Sequence, residues 1–181
     1  SMWLINLVEN LLSVTRIEEG RLNLHITEDL VDDVITEALH HVNRKSVEHH
    51  ITVRHKEDYL LAKMDAKLMV QVVINIVDNA IKYTPKGSNI LIKTWKQGDK
   101  AVISIADNGD GIPDEMKERV FDMFYSGANK VADSRRSLGL GLSLCRSIVN
   151  AHGGKITVSD NTPHGTVFTI TLSAVEVEIH E

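Results

Sequence analysis

The chain opens with a heptad-like spacing of apolar residues, carried by Leu4, Leu7, Leu11 and Val14. Spacings that alternate between three and four predict a helix over residues 3–18 with a narrow apolar seam, as in helices that pack against a partner helix. Gly20 marks its C-terminal end. Because a lone helix of this length is marginal in water, we expect it to pack against another chain or domain.

After this helix the period of the apolar residues switches between two and 3.6. Alternation predicts strands over residues 21–27, 51–55, 60–64, 89–96, 101–106, 155–159 and 166–172. Helical spacing predicts helices from residues 27–29 to about 48, from an Asp65 cap to just before Pro85, and over residues 138–151. This order predicts an α+β fold, a two-layer α/β sandwich in which helices cover a mixed sheet.

The helix that follows Asp65 divides into two unlike faces over residues 71–84. We assign the core side to an apolar stripe, consisting of Val70, Val73, Ile74, Val77, Ala80 and Ile81. The other side carries carboxamides among its polar residues, which are Gln71, Asn75, Asp78, Asn79 and Lys82. Amide oxygens four residues apart can converge on one point and suit a magnesium ion that keeps most of its waters. Taken alone, the pattern fits an ordinary polar helix face equally well.

Composition narrows the class of protein. The chain has 181 residues, 43% of them hydrophobic and 25% charged, which is ordinary for one globular domain with a short appendage. A formal charge of −5 argues against a nucleic-acid-binding surface. The single Cys145 excludes an internal disulfide and suits a reducing compartment. No apolar run reaches the length of a membrane span, so we expect a cytoplasmic piece without membrane contact.

A turn rich in glycine follows the strand over residues 101–106. Asp107 ends that strand, and Gly109 and Gly111 let the backbone adopt turns closed to other residues and let a flat ligand approach closely. A carboxylate at this point can accept a hydrogen bond from an exocyclic amine such as that of adenine. Guanine would present an oxygen there and leave the carboxylate unpaired. The same residues are also common in plain turns.

Two further stretches suit phosphate. Gly139 and Gly141 stand at the start of the last predicted helix, where free N–H groups and the helix dipole favour an anion, although a GxG can also serve packing alone. Before them, residues 126–138 are poor in apolar residues and contain Lys130, Arg135 and Arg136. A segment of this kind in a compact domain is typical of a functional lid or a linker.

In this order, the motifs resemble those of the catalytic ATP-binding domain of sensor histidine kinases, which has the Bergerat nucleotide fold. Residues 75–84 match the N box, 107–113 the G1 box, 121–125 the F box, 139–142 the G2 box and 164–166 the G3 turn. The likeness spans about residues 21–175. Residues 1–20 resemble the end of the dimerisation domain's second helix, most like that of potassium-responsive sensors of the KdpD type. The resemblance therefore divides the chain into 1–20 and a catalytic domain over 21–181.

The resemblance implies a role for each motif residue. Asn79 would be the Mg²⁺ ligand with Asn75 beside it, Lys82 would contact phosphate, and Asp107 would hold the adenine amine. The Arg135 and Arg136 side chains would neutralise charge on the transferring phosphoryl group from a lid at about 126–138. The remaining implied contacts to ATP come from Tyr83, Gly109, Gly111, Ile112, Phe124, Gly139, Leu140, Gly141, Leu142 and Thr166.

The chain departs from the family pattern at two places. Ser137-Leu138 stand where the family often has Gly-Thr, so we do not assign a hydroxyl contact with the nucleotide at that point. None of the nine histidines is followed by an acidic residue, as the family's acceptor is, except the terminal His180. We therefore expect the acceptor on a dimerisation domain outside this chain, with a response regulator as partner and a homodimeric, membrane-anchored full-length sensor. The fragment alone would be inactive.

The sequence motifs are also compatible with two other functions. The gyrase, Hsp90 and MutL ATPases share the fold but place a Glu where Asn75 stands, to activate water. Since an Asn is not a general base, we expect negligible hydrolysis. The third reading is a nucleotide-sensing or dimerising module without transfer activity, which the motifs alone do not separate from a kinase.

Overall fold

In the computed structural model, residues 23–42, 48–122 and 141–176 are described. Alternating residues put one face of every long strand into the core. Ile103 and Ile105 of strand β5 (Lys100–Asp107) are fully buried, and Ile105 pairs with Ile92 of β4 (Asn89–Gln97) and with Phe168 of β7 (Thr166–Ser173). This ladder of large apolar side chains forms the floor of the core.

The main sheet has five strands in the order β2–β4–β5–β7–β6, with β2 at His50–His55 and β6 at Lys155–Asp160. Only the β2–β4 pair is parallel, and the other three pairings are antiparallel. A separate antiparallel pair joins β1 (Thr27–Leu30) to β3 (Leu61–Met64), and an isolated bridge between Ala62 and Ala174 links it to the end of β7.

The helices are α1 (Val31–His41), α2 (Ala66–Lys82), the short α3 (Asp114–Lys117) and α4 (Gly141–Ala151), with a 3₁₀ turn at Arg119–Phe121. Helix α2 packs against both α1 and α4. Its start is capped as predicted, because Asp65 accepts a hydrogen bond from the Leu68 backbone N–H at 3.3 Å. Mixed sheet and covering helices together confirm the expected α/β sandwich.

The first predicted strand and the start of α1 are wrong. Residues 23–26 are not a strand, and residues 27–30 belong to β1 instead of opening the helix. Pairing with β3 supplies the backbone of this segment with hydrogen-bonding partners that a local pattern cannot reveal. Helix α1 also ends at His41, well before residue 48, since Val42 has extended dihedral angles.

The buried stripe of α2 is broader than predicted. Val72 and Ile76 are completely buried, whereas Val70 and Ile74, which we assigned to the core, are only partly buried. Because α2 has helices on both flanks as well as the sheet beneath it, its buried surface turns further round the axis than for a helix covered on one side.

The predicted helix over 3–18 and the lid over 126–138 lie outside the described residues. Within 23–42, 48–122 and 141–176, no helix combines the length and apolar character needed to cross a bilayer.

Candidate functional site

Asp107 is the best-defined side chain among the candidate site residues. It ends β5 with only 8% of its surface exposed. Its Oδ1 atom accepts hydrogen bonds from the backbone N–H groups of Gly109 at 2.9 Å and Thr166 at 3.3 Å. Both bonds end on the same oxygen, and Oδ2 accepts no hydrogen bond from the part of the chain that the structure describes. The result is a carboxylate of fixed orientation with one acceptor atom to offer.

Burial raises the pKa of the Asp107 carboxyl group, and the hydrogen bonds from Gly109 and Thr166 only partly offset that rise. The stability contributed by this group is therefore complete below its ordinary pKa of 3.8 and is lost as the pH rises through the raised value. Above that value, the folded chain holds a desolvated carboxylate. A hydrogen-bond donor from a ligand would relieve that cost.

This pKa predicts how nucleotide binding responds to pH. If Oδ2 accepts from a ligand amine, affinity should fall as the pH decreases from neutral towards the raised pKa of Asp107, because the protonated carboxyl group is a poorer acceptor. Calorimetry of ADP binding in buffers of different ionisation enthalpy would show proton release on binding in that range. Binding without any proton linkage there would contradict the assignment.

Three segments meet around this carboxylate. A Cβ placed on Gly109 would lie 2.9 Å from Cγ2 of Thr84 and 3.4 Å from the carbonyl oxygen of Tyr83, so the G1 turn rests on the end of α2. A Cβ on Gly165 would lie 2.0 Å from the carbonyl oxygen of Asp107, and one on Gly111 would lie 3.3 Å from the carbonyl oxygen of Gly165. Only glycine permits this approach of the backbones.

The polar face of α2 is organised differently from the prediction. The side-chain oxygen of Asn75 accepts a hydrogen bond from Nε2 of Gln71 at 2.9 Å, so it does not stand free beside that of Asn79. Nδ2 of Asn75 is buried without a partner among the described residues. The Asn75 amide also lies beside the fully buried Cys145 thiol, whose pKa burial raises to about 12. Asn79 is half-buried, with no side-chain hydrogen bond among the described residues.

Other predicted residues take their places around these. The ammonium group of Lys82 lies 5.3 Å from the centre of the Tyr83 ring. Gly141 begins α4, where a Cβ would meet nothing within 4 Å, and the half-buried Leu142 packs against the core. Thr166 is 5% exposed and Ile112 is half-buried. The remaining predicted site residues, Phe124, Arg135, Arg136, Gly139 and Leu140, lie outside the described residues.

An open cavity of about 520 Å³ lies on the outer side of the G1 turn. It shares Gly111 and Ile112 with the predicted site, but Asp107 and Asn79 do not line it. Its lining includes the carboxylate-bearing Asp110 and Asp160. Carboxylates in the lining disfavour a phosphate group there, although Asp160 is paired with Lys117 at 3.0 Å.

Three side chains that support the site, His49, Asn161 and His164, have no individual role in the prediction, although His164 belongs to the predicted G3 turn. Nε2 of His49 is hydrogen-bonded to Oγ1 of Thr84 at 2.9 Å. The Thr84 hydroxyl group in turn donates to the carbonyl oxygen of Ala80 at 2.7 Å. Asn161 and His164 reach the carbonyl oxygens of Asp107 and Gly109. Partners in these contacts are 35 to 55 residues apart, so no local pattern could have revealed them.

The chain matches a known protein family over more than half of its length. Residues 64–176 match the family model described as histidine kinase-, DNA gyrase B- and HSP90-like ATPase. The chain is 42% identical over 166 residues to the sensor protein KdpD of Clostridium acetobutylicum, covering 92% of this chain and 18% of that protein. It spans about a fifth of the length of the KdpD proteins it matches, and less than half of the other curated relatives.

Two solved structures of the histidine kinase ThkA have the same fold. The nucleotide-free catalytic domain of ThkA has a TM-score of 0.73 and 29% identity, covering 83% of this chain and 96% of that one. ThkA in complex with the response regulator TrrA has a TM-score of 0.72 and 28% identity, covering 93% of this chain and 48% of that one.

Proposed function

This chain belongs to the family of histidine kinase-, DNA gyrase B- and HSP90-like ATPases, and on that premise we propose its function. It is the ATP-binding catalytic domain of a sensor histidine kinase of the KdpD type. It donates the γ-phosphoryl group of ATP to a histidine on a dimerisation domain. The match to KdpD and the likeness to histidine kinase catalytic domains support this choice within the family.

The observation that carries the proposal is the fixed carboxylate of Asp107. With Oδ1 occupied by two backbone N–H groups, Oδ2 presents one acceptor to the ligand. The exocyclic amine of adenine donates to such an acceptor, whereas the oxygen of guanine would leave a buried carboxylate unpaired. The site therefore selects adenine nucleotides.

Asn75 supports transfer over hydrolysis. The hydrolysing members that the sequence resembles have a Glu at this place to activate water. The amide of Asn75 has no basic atom, and its oxygen already accepts from Gln71. ATP hydrolysis is therefore the second candidate function. At the position of Asn75, the chain lacks the basic side chain that would activate water.

The residues present fit a magnesium ion that the nucleotide largely holds. Among the described residues, no cluster of three or more His, Cys, Asp or Glu side chains could cage a metal. Magnesium commonly keeps several waters and takes phosphate oxygens, so a single protein oxygen suffices. Asn79 on α2 supplies that oxygen. When bound, such an ion would supply positive charge that offsets the negative charge developing during transfer.

Replacing Asn79 by Ala should weaken ATP binding about tenfold in the presence of magnesium and hardly at all in EDTA. The physical reason is that only the metal-bound nucleotide uses the amide oxygen. Calorimetric titrations under both conditions measure the difference. Asn150→Ala is the matched control, because Asn150 is an exposed asparagine on α4. Equal losses with and without magnesium would contradict a metal-ligand role.

The other motif residues complete the proposed mechanism. Lys82 contacts phosphate, Tyr83 packs beside the nucleotide, and the backbone at the start of α4 contacts the phosphates through Gly141 and Leu142. Gly139 and Leu140 extend that contact, Phe124 lines the nucleotide, and Arg135 or Arg136 neutralises the transferring group from the lid. Catalysis then consists of positioning and charge neutralisation, and the nucleophile comes from another domain.

We further propose the partners of the full-length protein. They are a histidine-bearing dimerisation domain of the same protein, which forms a homodimer, and a response regulator that receives the phosphoryl group. ThkA, which this chain resembles, has been solved with its response regulator TrrA. Residues 1–20 would be the C-terminal part of the dimerisation domain's second helix. The domain would act in the cytoplasm, where ATP is present, as part of a membrane-anchored sensor.

Phosphotransfer can be tested with two separate proteins. The 181-residue chain would be incubated with γ-labelled ATP and a purified KdpD-type dimerisation domain carrying its histidine. We expect acid-labile label on the acceptor and little free phosphate. If the chain binds ATP but the acceptor carries no label, the kinase assignment is wrong. Release of free phosphate with no label on the acceptor would favour an ATPase instead.

A further inference from the structure

The turn between β6 and β7 packs against the back of the G1 turn. A Cβ on Gly165 would lie 2.0 Å from the carbonyl oxygen and 2.8 Å from the carbonyl carbon of Asp107. The two turns are therefore in van der Waals contact along their backbones. Anything that holds the β6–β7 turn in place also limits where the backbone of Asp107 can lie.

Asn161 uses both ends of its amide in this contact. Nδ2 donates to the carbonyl oxygen of Asp107 at 2.8 Å, while Oδ1 accepts from the backbone N–H of Thr162 at 2.9 Å. The backbone N–H of Asn161 also donates to the carbonyl oxygen of Gly165 at 3.0 Å. The Asn161 side chain is thus fixed by the β6–β7 turn, and it restrains Asp107, the residue that bears the carboxylate.

His164 makes a second contact of the same kind. Its Nδ1–H donates to the carbonyl oxygen of Gly109 at 2.9 Å, and the backbone N–H of Gly109 donates to Oδ1 of Asp107. The imidazole therefore restrains Gly109, the residue whose own N–H group anchors the carboxylate. The side chain of His164 is exposed, so this bond does not result from burial in the core.

We propose that Asn161 and His164 are positioning residues that fix the Asp107 carboxylate and so set the preference for adenine. Their hydrogen bonds to the carbonyl groups of Asp107 and Gly109 restrain the backbone of the G1 turn and leave Oδ2 of Asp107 to meet the base. The carboxylate is then already ordered before the base binds. This lowers the entropy cost of forming its hydrogen bond to the adenine amine. This inference rests on the proposed function, in which Asp107 reads the base.

The test compares ADP with inosine diphosphate, which carries an oxygen in place of the adenine amine. For the unmodified chain, calorimetry should show much tighter binding of ADP. Asn161→Ala and His164→Ala should each lower ADP affinity about tenfold and leave inosine diphosphate affinity nearly unchanged, so that the preference shrinks. His164→Asn should restore the preference, because the Asn amide places a donor close to the position of Nδ1.

The outcomes separate this inference from the function on which it rests. If the unmodified chain binds ADP and inosine diphosphate equally, base reading by Asp107 fails. If it prefers ADP and the Ala variants keep that preference, or lose affinity for both nucleotides equally, the positioning role is overturned. Should Asn161→Ala fail to fold, the exposed His164 and its Asn variant decide the matter alone.

Discussion

Replacing Asp107 by Asn should lower the affinity for adenine nucleotides at least about 100-fold. The Asn side chain can keep Oδ1 as the acceptor for the N–H groups of Gly109 and Thr166. Its Nδ2 then stands where the free carboxylate oxygen was, and a donor faces the donor amine of adenine. Calorimetry with ADP and ATP measures the loss.

The fold should survive this substitution. Burial raises the pKa of Asp107, so at neutral pH its charge costs the folded chain stability, and the neutral amide removes that cost. We expect an unchanged or slightly higher melting temperature for the free chain. The loss of binding would then be assigned to the missing acceptor and not to unfolding.

Asp110→Asn is the matched control, since this carboxylate belongs to the same turn but is exposed. It removes the same charge near the site without removing the fixed acceptor, so ADP affinity should stay within about twofold. Asp107→Asn binding as tightly as the unmodified chain would refute base recognition by this residue. Equal losses in the two variants would point to general electrostatics.

Replacing Gly165 by Ala should cost roughly 3 kcal/mol or more of unfolding free energy and abolish nucleotide binding. The new Cβ would lie 2.0 Å from the carbonyl oxygen of Asp107, and φ at this position is +118°. Both backbones must move apart, which takes the carboxylate out of position. Urea denaturation and ADP titration of the same preparation measure the two effects.

Gly98→Ala separates backbone conformation from close approach. Gly98 also has a positive φ, of +62°, but a Cβ there would meet nothing within 4 Å. This control should cost about 1 kcal/mol and leave binding intact. If Gly165→Ala costs no more than Gly98→Ala, the contact between the two turns does not constrain the site.

Local pattern was sufficient for the long elements. Strands β4, β5 and β7 and helix α2 follow from apolar periodicity. Each element buries one face, and the spacing of the apolar residues on that face is visible in the local sequence. The Asp65 cap follows from its own side chain, which reaches Leu68 three residues on. For these elements and this cap, the predictions from the sequence are confirmed.

The predictions from the sequence are wrong where residues distant in the chain determine the structure. Residues 27–30 look like the start of a helix, yet they pair with β3 more than thirty residues later. The buried face of α2 depends on two flanking helices, so Val70 and Ile74 could not be placed from the period alone. One contact within a single helical turn also differs from the prediction: the oxygen of Asn75 accepts a hydrogen bond from Gln71, because a neighbour at i−4 is as close as any ligand.

The site divides in the same way. By itself, the sequence determined which chemical groups are available: the carboxylate at the end of β5, the amides of α2, and glycines at the turns. Only the tertiary structure decided what those groups do. Hydrogen bonds from Gly109 and Thr166 fix one oxygen of Asp107, and Asn161 and His164 hold the turn behind it. Orientation, burial and pKa arise from atoms brought together across the chain, and no run of neighbouring residues encodes them.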